Sequence, residues 1–474
     1  MTEELTWLDA WSIRELIVRG EISATTVVDH FLGRIEEFNP TLRAFAHLDP
    51  TSARKQARLA DEAQRQGDTL GPLHGIPIAV KENLSVAGVA FSFPRRGMSG
   101  VSAYDAIAVE RLRAAGAVIV GTNTMMGTSA ARPSEAQPEA PMVGMFNWAA
   151  EARNPWDTAR VPGWSSAGGA AATAAGLLPV TIGSDGGGST RLPAAFSGVV
   201  GVHPTQGLIP HVDYTRAALR LTATNGPLTR SVRDAALVTQ VLAGPDGRDY
   251  ICIQQQPADY LAALEDGIDG MRLAWTDDYG FAAEHATEES PRVIALAREV
   301  AFGLHRAGAV VEETSMVWES ARRGGGPGVG EPAVYEIDVS ANTHPLPATD
   351  PELYRAALEW RARNWEGFQS LFADYDLLLS VTSQHIAPTW EEWQDSWTTA
   401  KHAAVPGGYA EIYTAHTVLF NLLGFPAVTV PCGFVDGMPV GLQIVGPPSS
   451  EDRIFRLASA VQQAYPRSER PSLS

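Results

Sequence analysis

From Val161 to Ser184 the chain carries no charged side chain, and a second uncharged run extends from Thr417 to Val435. Runs of this length have to be enclosed, by lipid or by the protein itself. The first is dominated by Gly, Ala and Ser and contains Pro179, and the second is broken by Gly424, Pro426 and Pro431, so neither makes a lipid-facing helix. Both read as buried strands and loops. The 474 residues, 45% apolar and 19% charged, suffice to build the interior that encloses them. A formal charge of −18 speaks against a basic nucleic-acid groove or a polybasic membrane surface. The two cysteines, Cys252 and Cys432, lie far apart, which excludes a disulfide scaffold and a cysteine-rich zinc site and fits a reducing cytoplasm. The acidic start Met1-Thr2-Glu3-Glu4 has no signal-peptide pattern.

Residues 5–68 read as helices: Ile13, Leu16 and Ile17, then Val27, Val28, Phe31, Leu32 and Ile35, recur at helical spacing, with Ser23 placed as an N-cap. The short apolar run Pro72-Leu73-His74-Gly75-Ile76-Pro77-Ile78-Ala79-Val80, opened by turn residues, reads as a buried strand with Lys81 at its end. A helix from about Asp105 to Ala115, a stop at Gly116 and the strand Ala117–Val120 follow, an alternation that argues for an α/β layered fold. Residues 129–153, rich in Pro, Glu and Ala, read as a long surface loop. A helix over 166–175 made almost wholly of Ala and Gly leads into a strand over 178–182, and two more interior strands are expected at 426–431 and 441–445. Gly324–Gly328 reads as a surface connection or a lid. With no repeat and no linker, one domain over 1–474 is expected. Its parts are N-terminal helices (1–68), a central core (69–240), a variable region (241–400) and C-terminal strands and helix (401–474).

Several catalytic templates are missing: there is no phosphate loop, no H-E-x-x-H pair and no dinucleotide-binding G-x-G-x-x-G after the first strand. Gly163-Trp164-Ser165-Ser166-Ala167 fails the G-x-S-x-G elbow at its last position. Lysine usage is more informative. Only Lys55, Lys81 and Lys401 are lysines, so 33 of the 36 basic residues are Arg. A lysine retained at the end of a buried strand invites a reason that Arg cannot satisfy, and losing a proton is one, because desolvation lowers a lysine pKa while Arg stays charged. The alternative is a strand-end lysine reaching solvent.

Gly183-Ser184-Asp185-Gly186-Gly187-Gly188-Ser189-Thr190-Arg191 follows a strand directly. Glycines ahead of a serine leave backbone N–H groups unshielded, so that Gly186, Gly187 and Gly188 could hold an oxyanion while Ser189 attacks a carbonyl. A glycine-rich turn or a phosphate cradle reads equally well from this segment alone. Asp185 and Arg191 are positioned to pair and brace the loop. Ser165 or Ser166 could simply cap the small-residue helix.

Taken together, Lys81, Ser165-Ser166 and Ser189 resemble the amidase signature family in order and spacing, with Ser165 and Ser189 separated by 24 positions. The segment Gly71–Asn83 looks like that family's lysine strand almost residue for residue. Further agreement comes from Arg153–Asp157, Gly226–Arg230, Gly424–Ala427 and Pro439–Gln443. The resemblance covers roughly residues 8 to 460 and is weakest between about 245 and 400. Trp164 and Ala167 replace glycines usual around the first serine, and Thr122, Gly127 and His203 replace usual Lys, Glu and Lys residues.

The resemblance implies a mixed β-sheet covered by helices on both faces. It implies Ser189 as nucleophile, Ser165 on a cis peptide as proton relay and Lys81 as ultimate base, supported by Ser166, Asp185 and Arg191. No cofactor and no metal are implied. The expected reaction is cleavage of an amide through a serine acyl-enzyme. Met125, Met126, Trp156 and Trp164, with Met142, Met145 and Trp148, favour a bulky apolar or aryl substrate, with carbamates and esters as further candidates. A stand-alone cytoplasmic enzyme acting on a small amide or carbamate is expected, with no nucleic-acid or membrane partner and a homodimer left open. The alternatives are the A subunit of a glutamyl-tRNA amidotransferase, disfavoured by the charge and by Leu192 where Gln is common, and a non-catalytic amide-binding protein.

Overall fold

The computed structural model describes residues 2–93, 98–126, 151–211, 222–320, 351–393 and 411–473. Most of the 129–153 loop, the Gly324–Gly328 segment, Met142, Met145, Trp148 and Lys401 lie outside them. The described strands are β1 (Phe45–Leu48), β2 (Pro77–Lys81), β3 (Ala90–Phe93), β4 (Met98–Val101), β5 (Val118–Asn123), β6 (Val180–Asp185) and β7 (Val200–His203). They continue with β8 (Thr224–Thr229), β9 (Arg272–Trp275), β10 (Val310–Glu313), β11 (Leu377–Val381), β12 (Ala427–Val435) and β13 (Met438–Val445). Eleven of these form one sheet in the order β1-β5-β2-β6-β8-β7-β12-β13-β11-β9-β10, and β3 pairs with β4 separately. The sheet is mixed: β2 runs parallel to β5 and β6, β9 runs parallel to β10 and β11, and the remaining pairs are antiparallel.

Side chains alternate across this sheet, and helices cover both faces. On β11, Leu377, Leu379 and Val381 pack with Val293, Ala297 and Phe455 from the helices Ser290–Gly303 and Glu451–Ala464. Leu378 points the other way, into a cluster with Trp360, Phe368, Phe420 and Phe425. This is the period of two that a pleated strand imposes. The α/β architecture expected from the sequence is present.

The N-terminal helices form where the apolar spacing places them. In Ala24–Leu42 the residues Val27, Val28, Phe31, Leu32 and Ile35 are buried, and Ser23 accepts the Thr26 N–H at 3.0 Å. The strand β1 is a departure from the all-helical reading of 5–68. Its four residues are too few for a period to show, and it is a strand because it pairs antiparallel with β5. The helix Ala167–Ala174 is buried along its whole length, and its glycines are there for space. A Cβ on Gly168 would fall 2.5 Å from the Ala44 carbonyl oxygen and 2.7 Å from that of Thr124. The uncharged run is thus a helix laid against β1 and β5 at backbone contact.

Gly168→Ala forces those backbone atoms apart and is expected to cost about 1–3 kcal/mol. Gly33, in the helix Ala24–Leu42, is the control: it is exposed, a Cβ added there would meet nothing within 4 Å, and Ala is expected to add about 0.5–1 kcal/mol. Urea unfolding midpoints that move in the same direction for both would contradict this packing account.

Candidate active site

The three parallel strands β5, β2 and β6 end at one edge of the sheet and bring the chemistry-bearing residues together. Val80 of β2 is in register with Ile182 of β6, so Lys81 comes to lie beside Ser184, and the two hydrogen bond. Lys81 is 1% exposed, so the reading of a strand-end lysine reaching solvent is excluded. Its Nζ is within hydrogen-bond distance of Ser165 Oγ at 2.6 Å, Ser184 O at 3.1 Å and Ser184 Oγ at 3.0 Å. Asn83 Nδ2 donates to the same Ser184 hydroxyl at 2.9 Å. Ser166 sits at the N-cap of the small-residue helix, yet its hydroxyl does not cap it. It donates to Ser184 O at 3.1 Å and accepts from Ser184 N at 3.3 Å.

Beyond β6 the glycine loop is held by a buried ion pair. Asp185 and Arg191 are both fully buried, and Arg191 Nε and Nη2 grip the two carboxylate oxygens at 3.0 and 3.1 Å. The other Arg191 N–H groups go to Thr417 O, Gln443 Oε1 and Asn421 Oδ1, at 3.0, 3.0 and 2.5 Å. All five guanidinium hydrogens are therefore used. Asp185 also accepts from Gly188 N at 2.6 Å, from Thr190 N and Oγ1, and from Asn421 Nδ2. Burial would raise the Asp185 carboxyl, but the Arg191 charge and these bonds hold it well below the usual carboxylate range.

This corrects one expectation: the Gly188 N–H is committed to Asp185 and is not free for an oxyanion. Gly186 N and Gly187 N, and with them Ser189 N, have no partner among the described residues. Gly188 is a glycine for shape. Its φ is +119°, and a Cβ there would meet Thr417 Oγ1 at 2.3 Å. Ser189 is 4% exposed at the loop's end, and no hydrogen bond joins it to Ser165.

The cis serine is a second correction. No cis peptide occurs among the described residues, so Trp164 and Ser165 are joined by an ordinary trans bond. A non-proline cis bond costs ~3–4 kcal/mol, and Lys81 reaches Ser165 without one. Trp164 is anchored in the apolar core, edge-on to Trp393 at 5.0 Å, and Trp393 stacks on Tyr413 at 5.2 Å. Met126 N donates to Ser165 O at 3.3 Å, and Met125 N to Glu82 Oε1 at 2.7 Å. Trp156, expected in the same pocket, is engaged elsewhere. Its indole donates to Ser197 O at the far end of the helix Arg191–Ser197 and packs on Phe434 and Arg467.

The Amidase family model matches residues 26–320 and 334–455. The chain belongs to that family. Among its relatives, the A subunit of the Symbiobacterium thermophilum glutamyl-tRNA(Gln) amidotransferase is 33% identical, covering 98% of this chain and 99% of that protein. The solved 6-aminohexanoate cyclic dimer hydrolase superposes with a TM-score of 0.78 at 25% identity, covering 99% of both chains. The peptide amidase of Stenotrophomonas maltophilia gives 0.73 at 26% identity, again covering 99% of both.

Within this member of the amidase family, the sequence reading does not single out Thr417 and Asn421, which bond to the glycine loop and its ion pair, or Trp393 and Tyr413, which continue the ring packing from Trp164. Thr417 and Asn421 left a trace, since polar side chains in an otherwise apolar uncharged run require buried partners. His203, in place of the usual Lys, is fully buried and gives its Nδ1 hydrogen to Phe425 O at 3.1 Å. Burial first, then the Arg191 charge, pushes its imidazole down to about 4. No group of three or more metal-ligating side chains occurs among the described residues, and no described helix is long and apolar enough to cross a membrane.

Asp185→Asn strips the counter-charge from buried Arg191 and is expected to cost about 3–5 kcal/mol in denaturant unfolding. His203 gives a pH signature. Its folded-state value lies below the unfolded ~6.5, so the unfolded chain takes up a proton first and stability drains away as pH falls from ~6.5 toward about 4. Between pH 7 and pH 5 the stability gap between the parent and His203→Gln should therefore move in the variant's favour by about 2 kcal/mol. A gap that does not change with pH would show that folding leaves the imidazole pKa where it lies in the unfolded chain, and a gap that moves in the parent's favour would show that the fold holds the imidazole charged.

Proposed function

We propose that the chain hydrolyses a carbon–nitrogen amide bond through an acyl-enzyme on Ser189. The observation that carries this reading is the buried 2.6 Å contact between Lys81 Nζ and Ser165 Oγ, set beside a serine whose loop offers unpaired N–H groups. Desolvation disfavours the charged form of a buried amine, which is the form a base must give up. Ser189 Oγ attacks the carbonyl carbon as its proton passes to Ser165 Oγ, and the Ser165 proton passes to Lys81. The N–H groups of Gly186, Gly187 and Ser189 receive the oxyanion, each worth ~3–4 kcal/mol in the transition state. The C–N bond then breaks, and the departing amine takes a proton back along the same path. Water adds to the ester, the acid leaves, and Ser189 recovers its hydrogen. The Ser189–Ser165 link is the one not made here, and such bonds often tighten only with substrate bound.

Trp164, which precedes Ser165 in the chain, packs edge-on to Trp393, Trp393 stacks on Tyr413, and the Met126 N–H bonds to Ser165 O, so the surroundings of this serine are rich in aromatic and thioether groups. This supports a bulky apolar or aryl acyl group, and carbamates and esters present the same oxyanion. A second reading has its own observation: relatives 32–34% identical along their whole length are named as amidotransferase subunits. In that reading the ammonia released would be passed on within an assembly with partner proteins. Both readings share the acyl-enzyme and differ in what accepts the nitrogen.

Purified alone, the chain should turn over an anilide or a matching carbamate faster than propionamide, and Ser189→Ala should remove turnover by at least about a thousandfold while leaving the fold intact. Lys81→Ala should lose most activity as well. Release of ammonia from glutamine only in the presence of partner subunits, with no anilide turnover by the chain alone, would favour the amidotransferase reading instead.

A further inference from the structure

An uncharged amine has two N–H bonds and one lone pair, and it serves as a base toward Ser165 only when the lone pair faces that hydroxyl. The described surroundings of Lys81 Nζ favour that orientation. Ser184 O, a carbonyl, can only accept, and lies 3.1 Å away. Ser184 Oγ lies 3.0 Å away and already receives an N–H from Asn83 Nδ2 at 2.9 Å, a group with no lone pair to offer in return. Ser184 thus presents two acceptors to one amine, and its backbone is held at both N and O by Ser166. All these groups are buried: Asn83 is 4% exposed and Ser184 is 5% exposed.

We propose that Ser184, held by Asn83, is a positioning residue that takes up both N–H bonds of uncharged Lys81 and so turns the lone pair toward Ser165. This rests on the base role proposed above for Lys81. Without the Ser184 hydroxyl, one N–H is released and can turn to Ser165 Oγ, which makes the amine a donor where an acceptor is needed. Among the described residues few charges lie on the elements packed around the amine. The neighbouring strand β5 and the helix Ala167–Ala174 contain none, and the helix Ala24–Leu42 buries only apolar residues. On β6, Asp185 is neutralised by Arg191, and Glu82, next along the chain, accepts the Met125 N–H.

The experiment reads activation of Ser189 without needing the natural substrate. A fluorophosphonate ester phosphonylates an activated serine: the Ser189 O–P bond forms, fluoride leaves, and the serine proton goes to the base. The maximal labelling rate and the reagent's half-saturation concentration are measured across pH for the parent, Ser184→Ala, Ser184→Thr, Asn83→Asp and Lys81→Ala. Ser184→Ala is expected to lower the maximal rate by about ten- to a hundredfold with half-saturation unchanged. Ser184→Thr restores the hydroxyl and should bring the rate back to within about threefold of the parent. Asn83→Asp places a carboxylate two hydrogen bonds from the amine, favours its charged form, and should move the acid limb of the labelling rate to higher pH by about one unit. Should Ser184→Ala fail to fold, that shift decides the matter. A parental rate in Ser184→Ala, an equal loss in Ser184→Thr, or an unmoved acid limb in Asn83→Asp overturns the positioning role while Lys81→Ala stays inactive. Full labelling of Lys81→Ala overturns the base role itself.

Discussion

The ion pair between Asp185 and Arg191 is the constraint around which the rest is arranged. Two charges with no exposure to water are tolerable only if every lone pair and hydrogen is used, and here each is. The partners come from both sides of the pair. Asp185 ties down Gly188 and Thr190 on its own loop, while Arg191 reaches Thr417, Asn421 and Gln443 from the far end of the chain. Gln443 passes the network on to Tyr279 and Ser380. The glycine loop therefore has one shape. That shape leaves the amides of Gly186 and Gly187 without an acceptor among the described residues, an arrangement water would otherwise have to satisfy.

The second requirement is closeness. Lys81 and Ser165 are 84 residues apart in sequence and meet at 2.6 Å, which demands that β2, β5 and the helix after Ser166 lie against one another with little between them. Gly168 and Gly169 provide this by removing the side chains that would stand between helix and sheet, at Ala44 and Thr124 for the one and Thr181 for the other. The small-residue helix is thus a spacer of minimal thickness. Its composition serves the geometry of the serine that precedes it.

Much of this was legible in the sequence, for identifiable reasons. Lys81 stood out because arginine fills nearly every other basic position, and Ser189 because three glycines precede it. The Asp185–Arg191 pair followed from charge and spacing alone. What escaped notice were features that depend on distant contacts. The strand β1 exists by virtue of β5, Trp156 goes to Ser197 and Phe434, and the Gly188 amide is claimed by Asp185. The expectation of a cis bond was carried over from a resemblance, at a position where Trp164 replaces the usual Gly. A ring held against Trp393 is a local fact that no motif encodes.

The reach of Arg191 to Thr417, Asn421 and Gln443 has a consequence for biosynthesis. All the residues assigned to bond making precede position 190, yet the clamp that shapes their loop is completed by side chains and carbonyls more than 220 positions later. A nascent chain that has not yet reached Thr417 would carry the serines and the lysine with the guanidinium short of three acceptors. With Ser189 as the proposed nucleophile, its reactivity would then arise only once residues 417–443 have docked, and a shorter nascent polypeptide would be chemically silent.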